Sequence, residues 1–214
     1  MRTLLALTLL AGTAASAFAG NHEVTLGSHN RALRTSSANA VTNDTLGGGQ
    51  LGVARHLSLD LYPKLEVWAT GGFNWAGAEG TLFQTMTTEV DSYGFTLGGR
   101  ARYAVHRLLH VSARVDVGPA RQSLTIVGNG HTVADAAWAG TATAAIGVDL
   151  MLVAYPRFSF GFRFDLGYVA ATGAALSPHE DGDSSKIELD AMQASIGKLD
   201  LGGRFLAFSV LSQF

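Results

Sequence analysis

The strongest constraint on this chain is a period of two. From Tyr93 to Val105, Tyr93, Phe95, Leu97, Gly99, Ala101, Tyr103 and Val105 fall on one face, and Ser92, Gly94, Thr96, Gly98, Arg100, Arg102 and Ala104 on the other. Successive side chains of a strand point to opposite faces, so this is a strand with one apolar and one polar side. The split recurs in 109–118, where Leu109, Val111, Ala113, Val115 and Val117 oppose His110, Ser112, Arg114, Asp116 and Gly118. It recurs again in 158–168, where Phe158, Phe160, Phe162, Phe164, Leu166 and Tyr168 oppose Ser159, Gly161, Arg163, Asp165 and Gly167. Trp138 to Leu152 sorts the same way, with Asp149 among the small residues.

Connections alternate between short and long. Short ones fall near 57–63, 106–108 and 154–157; longer polar ones, rich in Gly, Ser, Thr, Asn and Asp, cover 34–46, 77–90, 127–135 and 174–187. Between them lie eight strands, near 22–33, 46–57, 63–76, 90–105, 108–124, 136–153, 157–173 and 189–209. Leu46-Gly47-Gly48, Leu97-Gly98-Gly99 and Leu201-Gly202-Gly203, with Ile146-Gly147, suggest a weak repeat with one hairpin as the unit.

The polar faces decide which side meets water. They carry mostly Gly, Ala, Ser and Thr with a few Arg and Asp, as a narrow packed interior does, whereas a soluble sandwich or lipocalin-like barrel presents many Lys and Glu to solvent. Charged residues make up only 15% of the 214, against about a quarter in ordinary domains. The apolar faces also carry aromatic pairs ten residues apart: Tyr93 with Tyr103, and Phe158 with Tyr168. A tilted strand crosses the hydrocarbon core in about 9–11 residues, and amphipathic rings favour its two interfaces. Trp75, Tyr93, Trp138 and Tyr168 therefore read as an outer girdle, and Tyr103, Tyr155 and Phe158 as an inner one. The fold class expected is all-β, an eight-stranded antiparallel transmembrane β-barrel. Such a sheet must close, because an open edge leaves backbone groups unpaired in lipid.

Other classes are excluded by composition. The absence of Cys removes disulfide scaffolds, Cys-ligated zinc and thiol nucleophiles. A net charge of -2 gives no electrostatic case for nucleic acid. At the N-terminus, Arg2, the apolar run Leu4 to Leu10 and Ala17-Phe18-Ala19 have the order of a secretory signal peptide. The reading is a cleaved signal peptide over 1–19 and a barrel domain over 20–214.

With these features the sequence resembles the small eight-stranded outer-membrane β-barrel proteins of Gram-negative bacteria, typified by the OmpA transmembrane domain and the OmpX/Ail adhesins. The resemblance implies an outer-membrane location, a structural or surface-interaction role, and a monomer. The implied partners are outer-membrane lipid and lipopolysaccharide, the barrel-assembly machinery, and an extracellular ligand for the long loops. The C-terminal Phe214 resembles the signal that this machinery reads. Phe214, Val210, Phe208 and Leu206 share parity with Arg204 and Asp200, so either a bulge near 205–207 switches faces or the tail past Ser209 leaves the barrel.

The interior is expected to hold Arg100, Arg102, Arg114, Arg163, Lys198 and Arg204 against Glu66, Asp116, Asp149, Asp165 and Asp200. An eight-stranded barrel is only wide enough for its side chains to fill, and buried charges need partners. An ion-pair network plugging the lumen follows, with Arg100 or Arg102 facing Asp116, and Arg163 or Arg204 facing Asp165 and Asp200. A narrow porin-like channel is one alternative. The other is a lipid-modifying enzyme, because His110-x-Ser112 resembles the His-x-Ser pair of outer-membrane lipid A deacylases. Parity places both side chains in the lumen, so the protein is not read as an enzyme. His179-Glu180-Asp181-Gly182-Asp183 offers oxygen ligands without the spacing of a calcium loop; no metal or cofactor is expected.

Overall fold

The computed structural model describes residues 21–57, 62, 64–83, 85–128, 130–155, 158–176 and 198–214. The expected signal peptide over 1–19 and the acidic stretch at 179–183 lie outside the described residues. Eight strands close into a ring: β1 (His22–Leu33), β2 (Thr45–Leu57), β3 (Leu65–Leu82), β4 (Met86–His106), β5 (Leu109–Gly128), β6 (His131–Tyr155), β7 (Phe158–Ala171) and β10 (Gly203–Gln213). The order round the barrel is β1-β10-β7-β6-β5-β4-β3-β2. All neighbours are antiparallel. A short helix, α1 (Ser36–Val41), follows β1, and a two-residue ladder, β8 (Ala174–Ala175) with β9 (Lys198–Leu199), precedes β10. The ring is sealed by its ends: His22 N–H donates to the Phe214 carbonyl at 2.9 Å and Phe214 N–H returns a bond to His22 at 3.0 Å.

The strands alternate between lumen and exterior as a pleated barrel must. On the exterior, Leu97, Val115, Ile146, Leu166, Leu206 and Phe208 are exposed, while Arg100, Asp116, Asp149 and Arg163 on the opposite parity are buried. The ladder between β4 and β5 is interrupted from Gly94↔Ala120 to Leu97↔Val117, where Pro119 has no N–H to give. Irregularities also fall at Ala104/His106 and Met151/Val153, close to the turns at the end where the chain termini lie.

Two expected long loops are in fact strand. The segments 77–90 and 127–135 continue the hairpins β3–β4 and β5–β6, pairing as far as Leu82↔Met86 and Gly128↔His131. Here the amphipathic pattern inverts. Beyond Trp75 and Tyr93, the outward residues are Glu79, Thr81, Glu89 and Asp91, and the inward ones are Ala78, Leu82 and Val90. The four long strands thus stand seven residues past that row, about 23 Å at ~3.3 Å per residue, as a sheet with a soluble protein's polarity. Of the expected last strand over 189–209, residues 189–197 lie outside the described residues, and in the described part the strand runs Gly203–Gln213. No bulge interrupts it and its tail does not leave the barrel, since pairing to β1 and β7 runs unbroken from Gly203 to Gln213.

Candidate functional site: the charged lumen and the barrel exterior

Three layers fill the lumen. The first, nearest the termini, is organised by Glu23 of β1, a residue that the sequence reading did not single out. Its carboxylate is 1% exposed and accepts from Arg100 of β4 (Nη1 to Oε1 2.6 Å, Nη2 to Oε2 2.9 Å) and from Arg163 of β7 (Nη1 to Oε1 2.8 Å, Nη2 to Oε2 3.2 Å). Gln213 Nε2 adds a fifth bond at 3.0 Å. Arg163 also forks onto Asp149, with Nε at 2.6 Å from Oδ1 and Nη2 at 2.7 Å from Oδ2. Such two-pronged guanidinium–carboxylate pairs are the strong, geometrically specific kind.

Arg102 completes this layer. Its Nε and Nη2 both donate to Glu66 Oε2, and its Nη1 lies 3.6 Å from Glu23 and 3.8 Å from Asp149. The indole of Trp68 sits under two cations, with Arg102 at 4.8 Å and Arg100 at 5.3 Å from the ring. Its Nε1–H donates to Glu66 at 3.1 Å. The indole both donates to the carboxylate and gives the guanidiniums a π face.

The second layer is centred on Arg114, whose Nε is 3.1 Å from Asp116 and whose Nη2 is 3.5 Å from Asp165. Thr70 Oγ1–H donates to Asp116 at 2.6 Å. A Cβ on Gly147 would collide with Asp165 Oδ1 and approach Ser112 Oγ, so only glycine admits the carboxylate at that point. His29 and Arg31 of β1 border the same level, beside a cavity of about 70 Å³ lined by Gln50, Thr70, Thr96 and Asp116. At ~10–15 Å³ each this holds a handful of waters.

The third layer, at the loop end, is apolar. Leu46, Val90, Leu124, Leu199 and Leu201 are fully buried together with Ala38 and Val41 of α1. Thr35 caps α1, accepting from Ala38 N–H and donating to the Asp200 carbonyl at 2.8 Å. Arg31 Nη1 reaches the Leu201 carbonyl at 3.0 Å, and Ser37 Oγ the Lys198 carbonyl at 3.3 Å. These three side chains fasten the 198–201 segment over the barrel mouth.

Of the charges expected in the lumen, Arg100, Arg102, Arg114, Arg163, Glu66, Asp116, Asp149 and Asp165 lie there. Arg204, Lys198 and Asp200 do not. Arg204 is exposed on the outside of β10 because Phe205, Ala207, Ser209 and Leu211 take the inward parity. Lys198 is exposed in β9, and Asp200 folds back so that its Oδ1 accepts from Gly202 N–H at 2.8 Å. The pairing also differs. Arg100 meets Glu23 rather than Asp116, which pairs with Arg114, and Arg163 meets Glu23 and Asp149 rather than Asp165. His110 and Ser112 are both buried in the lumen. Among the described residues, no group of three His, Cys, Asp or Glu is placed to hold a metal.

On the exterior, Trp75, Tyr93, Trp138 and Tyr168 are exposed toward the loop end, and Tyr103, Tyr155 and Phe158 toward the termini. Trp75 pairs with Tyr93, Tyr93 with Arg121 and Arg121 with Trp138, an unbroken outward row over four strands. The Trp75 indole lies against Gly49 so closely that a Cβ there would strike it. Between these bands, Phe73 packs on Phe95 across β3 and β4, and Phe162 and Phe164 pack on Phe208 across β7 and β10. A closed sheet with charge inside and this apolar band outside matches solved barrels.

The chain has the fold of the small eight-stranded outer-membrane barrels. It aligns with Ail, the attachment invasion locus protein of Yersinia pestis, over 92% of this chain and 98% of that one, at a TM-score of 0.50 and 12% identity. Neisserial surface protein A aligns over 92% and 99%, at a TM-score of 0.47 and 10% identity. No family model and no curated protein matches the sequence. The likeness is therefore one of architecture.

Proposed function

We propose that this protein is an integral outer-membrane barrel with a structural or surface-interaction role, its lumen plugged by the ion-pair network and capped by the apolar layer. The observation that carries the reading is Glu23: one buried carboxylate binds guanidiniums from β4 and β7 and so ties opposite walls across the lumen. An ion path through that point requires stripping paired charges of their partners, which costs several kcal/mol each. The aqueous face left for recognition is the sheet of β3–β6 that stands beyond the Trp75–Tyr93–Arg121–Trp138 row. Burial of His110 and Ser112 keeps a lipid ester away from that pair, which favours a non-enzymatic role. The N-terminal segment would export the chain, and Phe214 would present the final strand to the assembly machinery.

Conductance across planar bilayers tests the plug. The folded protein is expected to give no steady single-channel current, while Glu23→Ala gives flickering openings. Steady openings by the unmodified protein would reinstate the narrow channel.

A further inference from the structure

Among the described residues, the barrel's exterior between the two aromatic bands is mostly Gly, Ala, Leu, Val, Ile, Pro and Phe with a few Ser, Thr and Asn, and its one charged side chain is Arg55 of β2, opposite His22 and Ala69 near the turn end. Two arginines interrupt this at the loop-end edge. Arg121 is exposed on β5, directly opposite Tyr93 on one side and Trp138 on the other. Arg204 is exposed on β10, directly opposite Tyr168 and Ala32. Arg121 therefore stands between two girdle rings and Arg204 beside one. Every charged arginine of the lumen core, Arg100, Arg102, Arg114 and Arg163, has a carboxylate partner. Arg121 and Arg204 have no ion pair among the described residues, although Asp91 stands one outward step from Tyr93 on the neighbouring strand.

A guanidinium costs several kcal/mol at the bilayer midplane and almost nothing at the interface. Its planar fork matches phosphate oxygens two at a time, and the Tyr hydroxyl and Trp N–H beside it donate at the same depth. We propose that Arg121 and Arg204 recognise the phosphate of lipid headgroups at the loop-end rim, Arg121 between Tyr93 and Trp138 and Arg204 beside Tyr168. This rests on the membrane-barrel reading and adds to it two residues and the headgroup phosphate they take.

The test uses the full chain folded in detergent micelles doped with lipid A bearing both phosphates, or with the same lipid dephosphorylated; native mass spectrometry reads the lipid retained. The unmodified protein is expected to keep the phosphorylated lipid. The Arg121→Ala/Arg204→Ala double variant should retain at least about tenfold less, the loss expected for charge-assisted bonds. The double Lys variant should fall between, and Arg107→Ala, in the turn at the opposite end, should match the unmodified protein. Equal retention by the double Ala variant, equal loss in Arg107→Ala, or equal binding of the dephosphorylated lipid would each overturn the proposal. Displacement by millimolar inorganic phosphate would also overturn it, reassigning the site to the free anion. Electrophoretic mobility before and after boiling is measured on each sample. If the unmodified protein shows no shift, the barrel reading falls and takes the proposal with it, while a normal shift with unchanged retention sinks the proposal alone.

Discussion

Glu23 on β1 and Arg100 on β4 meet across the barrel, three strands apart round the ring, through two hydrogen bonds of 2.6 and 2.9 Å between almost fully buried groups. A single carboxylate in this position answers for two guanidiniums at once, and a third, Arg102, stands 3.6 Å away. Removing it leaves those cations facing one another.

Glu23→Gln is therefore expected to lower unfolding stability in detergent by about 3–5 kcal/mol, the range for breaking a buried pair from one side. Glu66→Gln should cost far less, about 0–1 kcal/mol, because the Glu66 side chain is 35% exposed. Equilibrium urea titrations of both variants make the comparison. Similar losses would mean that Glu23 is not the hub.

Gly147 and Gly99 offer a second contrast. A methyl at Gly147 meets Asp165 and Ser112 in the lumen, whereas at Gly99 the nearest neighbour is the Trp68 carbonyl at 3.7 Å. Gly147→Ala is expected to destabilise by about 1–3 kcal/mol through overpacking. Gly99→Ala should be neutral or stabilising by about 0.4–1 kcal/mol through the unfolded chain. Thermal unfolding of the two proteins checks the sign of each.

The inversion of polarity along β5 and β6 can be probed with charge. Ile146 is 66% exposed within the apolar band and Val127 is 45% exposed on the sheet beyond it. In lipid, Ile146→Arg should cost about 2–4 kcal/mol. Val127→Arg, in water, should stay within about 0.5 kcal/mol. Folding titrations into vesicles measure both. Equal effects would place the two positions in the same solvent.

The loop-end layer should behave as an ordinary core. Leu124→Ala, at a fully buried site, is expected to cost about 2–5 kcal/mol. Thr35→Ala removes both the α1 cap and the bond to Asp200, for about 1 kcal/mol. Proteolysis at the rim should accelerate in Thr35→Ala before global unfolding does. A protease rate unchanged from the unmodified protein would show that α1 is not held there by its cap.

Where the apolar and polar faces alternated cleanly, the barrel was legible: residues 93–105, 109–118 and 158–168 each sort by parity onto the faces they occupy. Legibility failed where the pattern inverts. In 77–90 the inward Ala78, Leu82 and Val90 are apolar while the outward Glu79, Glu89 and Asp91 are polar, and in 127–135 Asp135 takes an inward place opposite buried Leu124, so a reader following lipid-facing alternation ends both hairpins early. Glu23 is hard to place from sequence because β1 is polar on both faces, with His22, Glu23, Thr25, Ser28 and Asn30 hiding its parity. Shared parity with Asp200 points Arg204 inward, yet Asp200 is not in the strand at all. The Leu-Gly-Gly repeat also misleads, since Leu46 is fully buried and Leu97 is 72% exposed. Which carboxylate each arginine chooses depends on distances across the ring, and those follow from closure and register rather than from local pattern.

The central claim is that the apolar face of this sheet is its outside. Electrophoretic mobility of the folded protein in detergent, unheated and then boiled, tests it most directly. A compact, fast-migrating form that slows on boiling is the result expected of a closed, lipid-facing barrel. A single unchanged mobility, from a protein that stays dispersed without detergent, would put the apolar faces inside and contradict the account.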